Sequence, residues 1–384
     1  MNLYTWIPPR VREYLLLSRG MIKQGKKKLL DEIHMLSQKD SADWYSSSCD
    51  PLCWEKSFKR LALESNSRGI QLARSFYQQP LQIIEEKQVP RDQSFVLICA
   101  SKNECNRMKS IYQYYRKLGV NSFAFIDNFS TDDSIKIYRT MEGVNIYLAK
   151  ESYTSIRRQA WINRVMAHYG YDKWYLVIDS DEYIDYNQSE QHSLIDVIRY
   201  CNLKKIFRLQ ALLVDMYPKE IEYKNQKIDF LKEYIYFDWD TYEAMNDQNQ
   251  LLLNGYQGGV RARLFFQSET KNKPWLTKYP LIFLQQGDIQ FQSHMSFPFY
   301  KNFQSKNYLA IKHYKFLPND FEKYKQRVSS GNFANGSQEY KQYIAEMKKG
   351  YIKFYDNSHS ERCLTSESFY KIPVMAKIPW EDLL

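Results

Sequence analysis

Between residues 94 and 178, short apolar runs alternate with amphipathic stretches. No other feature of the chain constrains its fold as much. Ser94–Ala100 is a strand-sized apolar run. Asn103 then caps a helical stretch through Leu118, with Met108, Ile111, Tyr115 and Leu118 on one face and Gly119 to end it. Phe123–Ile126, Val144–Leu148 and Trp174–Ile178 read as further strands. Between them lie a polar turn over Asn128–Asp133, a short helix to Met141, and a longer helix over Ser155–Tyr169 stopped by Gly170. Strands joined by helical crossovers pair in parallel, so the pattern predicts an α/β fold with a doubly wound, mostly parallel sheet. Ligands of such sheets bind beyond the carboxyl ends of the strands. The polar clusters fall at those ends: Lys102-Asn103-Glu104, Asp127-Asn128 and Asp179 to Glu182.

Outside this stretch the rhythm changes. Residues 1–90 read as a helical N-terminal extension, with Val11, Leu15, Met21, Ile22, Leu29 and Leu30 at rough helical spacing and basic residues between them. Such a face can rest on an anionic membrane or pack on the main domain as a cap. Gly20 and Gly25 interrupt it and favour packing. After residue 185, Ile206–Val214 and Val260–Phe266 read as strands, the second preceded by Gly258-Gly259. Residues 301–384 read as a Tyr-rich helical C-terminal region. The main domain is placed at 91–300, with a nucleotide-binding half at 94–186 and an acceptor half at 187–300.

Composition narrows the function classes. The net charge is +10, but apart from Lys26-Lys27-Lys28 the cations are scattered and no nucleic-acid module is present, so no nucleic-acid partner is expected. The six cysteines fit no zinc spacing and suggest a reducing compartment. No apolar run approaches membrane-span length, and MNLYTWIPPRVREY is not a secretory leader, which predicts a cytoplasmic protein. The 32 Tyr, 21 Phe and 8 Trp suit sugar-binding surfaces but also suit a biased genome. Neither a phosphate-binding G-x-x-x-x-G-K-[ST] loop nor a G-x-G-x-x-G fingerprint nor a G-x-S-x-G elbow occurs.

The sharpest chemical signal is Asp179-Ser180-Asp181-Glu182. In extended backbone, residues two apart share a side, so Asp179 and Asp181 would present two carboxylates to one point at a strand tip. Hard oxygen ligands suit Mg2+ or Mn2+, which would neutralise a departing diphosphate. A solvated acidic turn is the plain alternative. Arg158 precedes this motif and could offer a guanidinium fork to phosphate, or be a solvated helix residue.

The stretch from Cys99 to Tyr186 resembles family 2-like glycosyltransferases of the GT-A fold, in the branch found in bacterial surface-polysaccharide loci. The similarity rests on CASKNE at 99–104, KLGV at 117–120, IDNFSTDD at 126–133 and WYLVIDSDEY at 174–183, with weaker pieces at Gly258–Arg261 and His313–Phe316. It implies a GT-A-like domain that moves a sugar from a nucleoside-diphosphate donor to an acceptor hydroxyl, in capsule, lipopolysaccharide or other surface-glycan synthesis. It implies that Asp127 binds the nucleotide base, that Asn128 and Asp132 shape its turn, and that Lys102, Asn103 and Glu104 line the nucleotide cleft. Asp179 would touch ribose or metal, and Asp181 would ligate the metal, with His294 and His313 as further candidates. Arg261 would hold donor or acceptor. For the general base, Asp215 after the 206–214 strand is preferred, Asp288 is its rival, and Glu182 is the remaining catalytic candidate. The acceptor would be a glycan or lipid-linked, with a possible peripheral contact to the inner face of the membrane. A phosphosugar or nucleotidyl transferase, or a non-catalytic glycan-binding protein of the same fold, would carry the same acidic motif.

Overall fold

The structure, a computed structural model, describes residues 24–47, 49–65, 67–87, 95–221, 229–245, 255–266, 273–318, 320–330, 334–348 and 352–383. Its centre is a nine-stranded sheet: β1 Gln82–Glu85, β2 Phe95–Ser101, β3 Phe123–Asp127, β4 Val144–Leu148, β5 Lys173–Ile178, β6 Glu182–Asp185, β7 Arg208–Asp215, β8 Thr277–Leu284 and β9 Leu309–His313. Their order across the sheet is β1-β4-β3-β2-β5-β8-β7-β9-β6. Strands β4, β3, β2 and β5 pair in parallel, β8 runs antiparallel to both β5 and β7, and β7 and β9 are parallel. Only β1, β8 and β6 run against the rest. The expected α/β, doubly wound, mostly parallel architecture is therefore present.

Apart from the edge strand β1, the strands are buried on both faces, as a crossover sheet requires. Along β2, Phe95, Leu97 and Cys99 face one core while Val96 and Ile98 face the other; along β5, Trp174, Leu176 and Ile178 alternate with Tyr175 and Val177 in the same way. The first core is covered by α3 (Cys105–Lys117), α4 (Ser134–Arg139) and α6 (Leu194–Lys204). The second is covered by α5 (Ser155–Tyr169) together with α1 (Pro51–Ser65) and α2 (Ser67–Gln78). Trp54 of α1 stacks on Phe76 and Tyr171 at 5.2 and 5.8 Å between ring centroids. Arg164 of α5 is buried over the Trp44 and Phe76 rings and pairs with Asp40 at 2.5 Å. The described N-terminal helices are thus continuous with the sheet's own core. The spacing read at Val11, Leu15, Met21 and Ile22 lies outside the described residues.

Three readings are corrected. The segment before residue 90 is not wholly helical, because β1 pairs with β4 at the sheet edge. Residues 301–384 are not only helical, because β9 inserts between β7 and β6, so the main sheet does not end at residue 300. They do contain α8 (Asp320–Ser330) and α9 (Ala334–Met347). Residues 260–266 are not a strand: Gly259–Phe265 forms α7. The alternating look of VRARLFF misled, because the buried set Val260, Arg261 and Phe265 also fits one helical turn, and runs this short are ambiguous. Gly258 and Gly259, at φ 120° and 67°, turn the chain from strand into helix; a Cβ at Gly258 would run into the Thr241 carbonyl.

Candidate functional site

A cavity of about 910 Å³ opens at the carboxyl ends of β2 and β5 and is overhung by α8 and α9. Its first wall is built from the turns after β2 and β3, which are tied to each other. Asn103, in the left-handed region at φ 53°, donates its N–H to Ser130 Oγ at 2.9 Å and accepts from the Thr131 N–H at 2.7 Å. Asp132 accepts from the backbone N–H groups of Cys105 and Ser134 at 3.2 and 3.0 Å, which anchors the starts of α3 and α4. Asn128 donates to the carbonyls of Ala149 and Glu151. Asn128 and Asp132 therefore shape the turn and are already spoken for by protein partners.

Asp127 at the tip of β3 is fully buried. Its Oδ1 accepts from the Ser130 N–H at 2.8 Å, while its Oδ2 is buried with no partner. A buried carboxylate oxygen without a donor is costly, and Asp127 sits directly before the lining residue Asn128 without lining the cavity itself. Lys102 lines the cavity, exposed and making no ion pair among the described residues. Glu104 also lines it, but its carboxylate takes Lys323 at 2.7 Å and lies 3.7 Å from Arg107, so it fastens α8 to this half rather than standing open to a nucleotide.

The acidic motif is organised differently from the two-apart reading. β5 ends at Ile178, and Ser180 and Asp181 lie in a turn before β6, so the alternation of extended backbone does not apply. Asp179 points to cations: it pairs with Arg158 through Oδ1 and with Lys278 through Oδ2 at 2.8 Å. Burial would raise its pKa, but Arg158 and Lys278 hold the carboxyl far below the usual range. Glu182 is buried, ion-paired to Lys278 through Oε1, and accepts the Asp179 N–H at 3.1 Å through Oε2. Glu182 is closed off in this way, whereas the Asp179 side chain is 31% exposed and lines the cavity. Arg158 lines the cavity too, with its guanidinium paired to Asp179.

Asp181 turns the other way. Its Oδ2 lies 3.5 Å from His313 Nε2, and His313 Nδ1 is 2.6 Å from Asp215 Oδ1. Asp215 Oδ2 in turn accepts from Arg261 Nε at 2.7 Å. Burial opposes charge throughout this chain, yet Asp181 raises the His313 pKa, and His313 holds Asp181 well below the carboxylate range. Asp215 is thus not an open base: it is buried, fixes the imidazole, and is itself fixed by Arg261. Asp215, expected as the base, does not line the cavity, whereas Arg261, expected to hold donor or acceptor, does.

Asp181, Glu182 and His313 each offer a ligand atom within 4.8 Å of the others. The residues fit a divalent ion. Asp181 supplies a carboxylate oxygen and His313 an imidazole nitrogen whose other nitrogen is committed to a carboxylate, the arrangement that orients histidine ligands in metal sites. A mixed carboxylate and imidazole set suits Mn2+ better than Mg2+, which prefers oxygen alone. His294 lines the cavity but is not part of that cluster. Its Nδ1 lies 2.7 Å from the Thr277 carbonyl, its ring stacks on Trp275 at 5.0 Å, and burial together with the Lys278 charge holds its pKa down at about 3. Asp288 is corrected outright: it is 1% exposed, pairs with Lys301 at 2.8 Å and Arg208 at 3.3 Å, and does not line the cavity.

Lys278, Lys315 and Glu339 line the same cavity and were missed. No local motif marks Lys278 or Glu339, and Lys315 falls in the His313–Phe316 piece without having been singled out. Lys278 is the second residue of the strand TKYPLIFL, and a lone buried lysine in a mostly apolar strand is the one signal that was there.

No protein-family model and no curated protein matches the sequence. Solved structures similar to the chain include S. aureus TarS, at 15% identity and TM-score 0.24 over 35% of this chain and 23% of that one. A shorter form, S. aureus TarS 1-349, aligns at 13% identity and TM-score 0.27 over 67% of this chain and 71% of that one. Glucosyl-3-phosphoglycerate synthase from Mycobacterium tuberculosis, in complex with Mn2+, uridine diphosphate and glucosyl-3-phosphoglycerate, aligns at 14% identity and TM-score 0.23 over 33% and 44%. The chain spans less than a quarter of the first of these. Likeness at this level carries no argument about chemistry, which rests on the side chains of the cavity.

Proposed function

We propose that the chain is a metal-dependent glycosyltransferase that moves a sugar from a nucleoside-diphosphate donor to an acceptor hydroxyl. The carrying observation is the convergence of Asp181 with a His313 ring held by Asp215, beside a cavity into which the β2 and β3 turns project. Asp181 and His313 would hold Mn2+ or Mg2+; when bound, the ion supplies positive charge to the departing diphosphate. The open oxygen of Asp127 would take a base N–H, and Asn103, Asn128 and Asp132 would keep that turn rigid. Arg158 and Lys278 would hold Asp179 and Glu182 in place, leaving Asp181 to face His313. Lys102, at the exposed rim, would meet the donor's phosphates.

The resemblance to surface-polysaccharide enzymes adds the setting: capsule, lipopolysaccharide or another surface glycan, with a glycan or lipid-linked acceptor and peripheral membrane contact. No described helix is long and apolar enough to cross a membrane. The test is a panel of nucleotide sugars, scored for Mn2+-dependent thermal stabilisation and for release of free sugar. Product analysis with a label in the sugar separates glycosyl transfer from phosphoryl or nucleotidyl transfer. Asp181→Ala is expected to fold normally and lose metal-dependent turnover; normal turnover in that variant would end the assignment.

A further inference from the structure

The cavity is not charged throughout. Its β5 side is filled by ion pairs, with Arg158 and Lys278 set against Asp179 and Glu182. Next to these lies a mostly neutral sector. Tyr242–Ala244 and Tyr256–Gly258 pair antiparallel, Gln257 bridges to Trp275, and the Leu276 N–H donates to the Tyr256 carbonyl at 2.8 Å. Met245 and Trp275 thus stand on either side of the same backbone segment. The turn Ser293-His294, between the strands Ile289–Gln292 and Met295–Phe297, brings a third segment against Trp275. Met245, Pro274, Trp275, Ser293 and His294 all line the cavity, and at the border of the sector Lys273 is paired with Glu243.

Trp275 and His294 form the centre of this sector. Their rings stack at 5.0 Å with planes 2° apart, and both side chains are half-buried. His294 Nδ1 lies 2.7 Å from the Thr277 carbonyl oxygen, which only accepts, so Nδ1 carries the proton. Burial and the Lys278 charge keep a second proton off the ring. Its Nε2 therefore holds a lone pair, and this nitrogen has no partner among the described residues. Trp275 Nε1 is buried with no acceptor among the described residues. An indole N–H left in that state costs stability, so packing alone does not favour tryptophan over phenylalanine here. A flat, neutral ring pair with an acceptor at its edge suits a pyranose, whose C–H face lies against the ring surface lining the cavity while a hydroxyl donates to the imidazole. It suits a phosphate poorly, because the open nitrogen accepts rather than donates.

We infer that Trp275 and His294 form a platform for the ring of an uncharged pyranose, with His294 Nε2 accepting from one of its hydroxyls. The inference deepens the glycosyltransferase reading and rests on it for the sugar's part in a reaction, but not for the binding of a sugar. The placement fits. β8 runs antiparallel to β5 and β7, so its start lies at their carboxyl ends: Thr277 is paired with Leu212 of β7, and Lys278 reaches Asp179 after β5. Trp275, two residues before that start, stands across the acidic motif from the turns after β2 and β3, in the strand order β3-β2-β5-β8-β7. A sugar ring at this point can belong to the donor or to the acceptor. Both present the same face and the same hydroxyls, and titrations separate them.

The probes are methyl hexopyranosides (the glucoside, galactoside, mannoside and N-acetylglucosaminide), titrated into the intact protein and followed by saturation-transfer NMR. At least one is expected to bind, with saturation concentrated on the ring protons of one face. Trp275→Leu removes the platform, and His294→Phe keeps the stack but removes the acceptor; each is expected to weaken binding by roughly fivefold. Should Trp275→Leu fail to fold, His294→Phe decides alone. Parallel titrations use uridine diphosphate and uridine diphosphate glucose. A loss for the sugar nucleotide but not for the diphosphate assigns the platform to the donor's sugar, and a loss confined to the glycosides assigns it to the acceptor's. The inference is overturned if no sugar binds, if both variants bind sugars as the wild type does, if saturation spreads evenly over the ring, or if the diphosphate loses as much affinity as its conjugate. Glycoside binding with the expected signature but no sugar transfer would remove the transferase reading and leave the platform. Transfer with unaltered KM in both variants would do the reverse.

Discussion

At the residue scale, the site is a set of charges whose meaning depends on partners far away in the chain. The DSDE motif is visible at once, but the roles of its members are not. Asp179 and Asp181 look equivalent as letters. A turn after Ile178 sends one to Arg158 and Lys278 and the other to His313. Asp215 was found as a buried acid at a strand end, yet its partners, 46 and 98 residues away, decide that it orients rather than reacts. Asp215→Asn would let the His313 ring choose the wrong tautomer, and Mn2+ affinity is expected to fall between about 10- and 100-fold with the fold unchanged; a Mn2+ titration followed by electron paramagnetic resonance reads this directly. Lys278→Met is expected to act on stability instead. It leaves Glu182 buried without its cation, a change that costs about 3–5 kcal/mol when a buried pair is broken, and the midpoint of urea unfolding should drop accordingly.

At the element scale, what was legible was local. The alternation from 94 to 178 gave β2 to β5 and their helices nearly to the residue, because each element is specified by its own periodicity; the cap expected at Asn103 is not made, since Asp132 of the next turn takes the Cys105 N–H instead. The second half was harder to read for physical reasons. β8 enters the sheet antiparallel between β5 and β7, a pairing that no nearby residue announces, and α7 hides in a run whose pattern suits strand and helix alike. The N-terminal extension was read as helical and as packed on the main domain, and α1 and α2 do pack on the sheet's second core. Trp54, fully buried against Phe76 and Tyr171, shows what they contribute. Trp54→Ala should cost about 3–5 kcal/mol, as large-to-small changes in a packed core do. Loss of the whole molecule's cooperative thermal transition, rather than of a separate early one, would be the sign that these helices and the sheet melt together.

At the scale of the whole molecule, the paired acids and the neutral histidine set its response to pH. Burial and the Lys278 charge push the His294 pKa in the folded protein down to about 3, whereas an unfolded imidazole sits near 6.5. The unfolded state therefore gains protons first, and stability falls as pH drops through that window. Asp179, Asp181, Asp215 and Glu339 all have lowered pKa values, so their contribution is present above the unfolded carboxyl range and is lost as pH falls below it. Glu182, raised by burial, opposes them. His313, raised by Asp181 despite burial, adds stability that is present below the free imidazole range and lost as pH rises through its folded value. Calorimetric Tm of the metal-free protein should therefore decline from about pH 6 to 3, and decline less steeply at first in His294→Gln. An unchanged slope in that variant would mean the imidazole is solvated.

The place of β9 has a consequence for how the protein is born. Synthesis delivers the sheet from one side, and the β2–β5 half can close as soon as it leaves the ribosome. His313 arrives on a strand that must slot between two others laid down long before, with α8 and α9 still to follow. A nascent chain would display its Asp127 turn early, while the proposed Asp181–His313 metal site would come together only when that late strand docks, as a closing act of the molecule's own assembly.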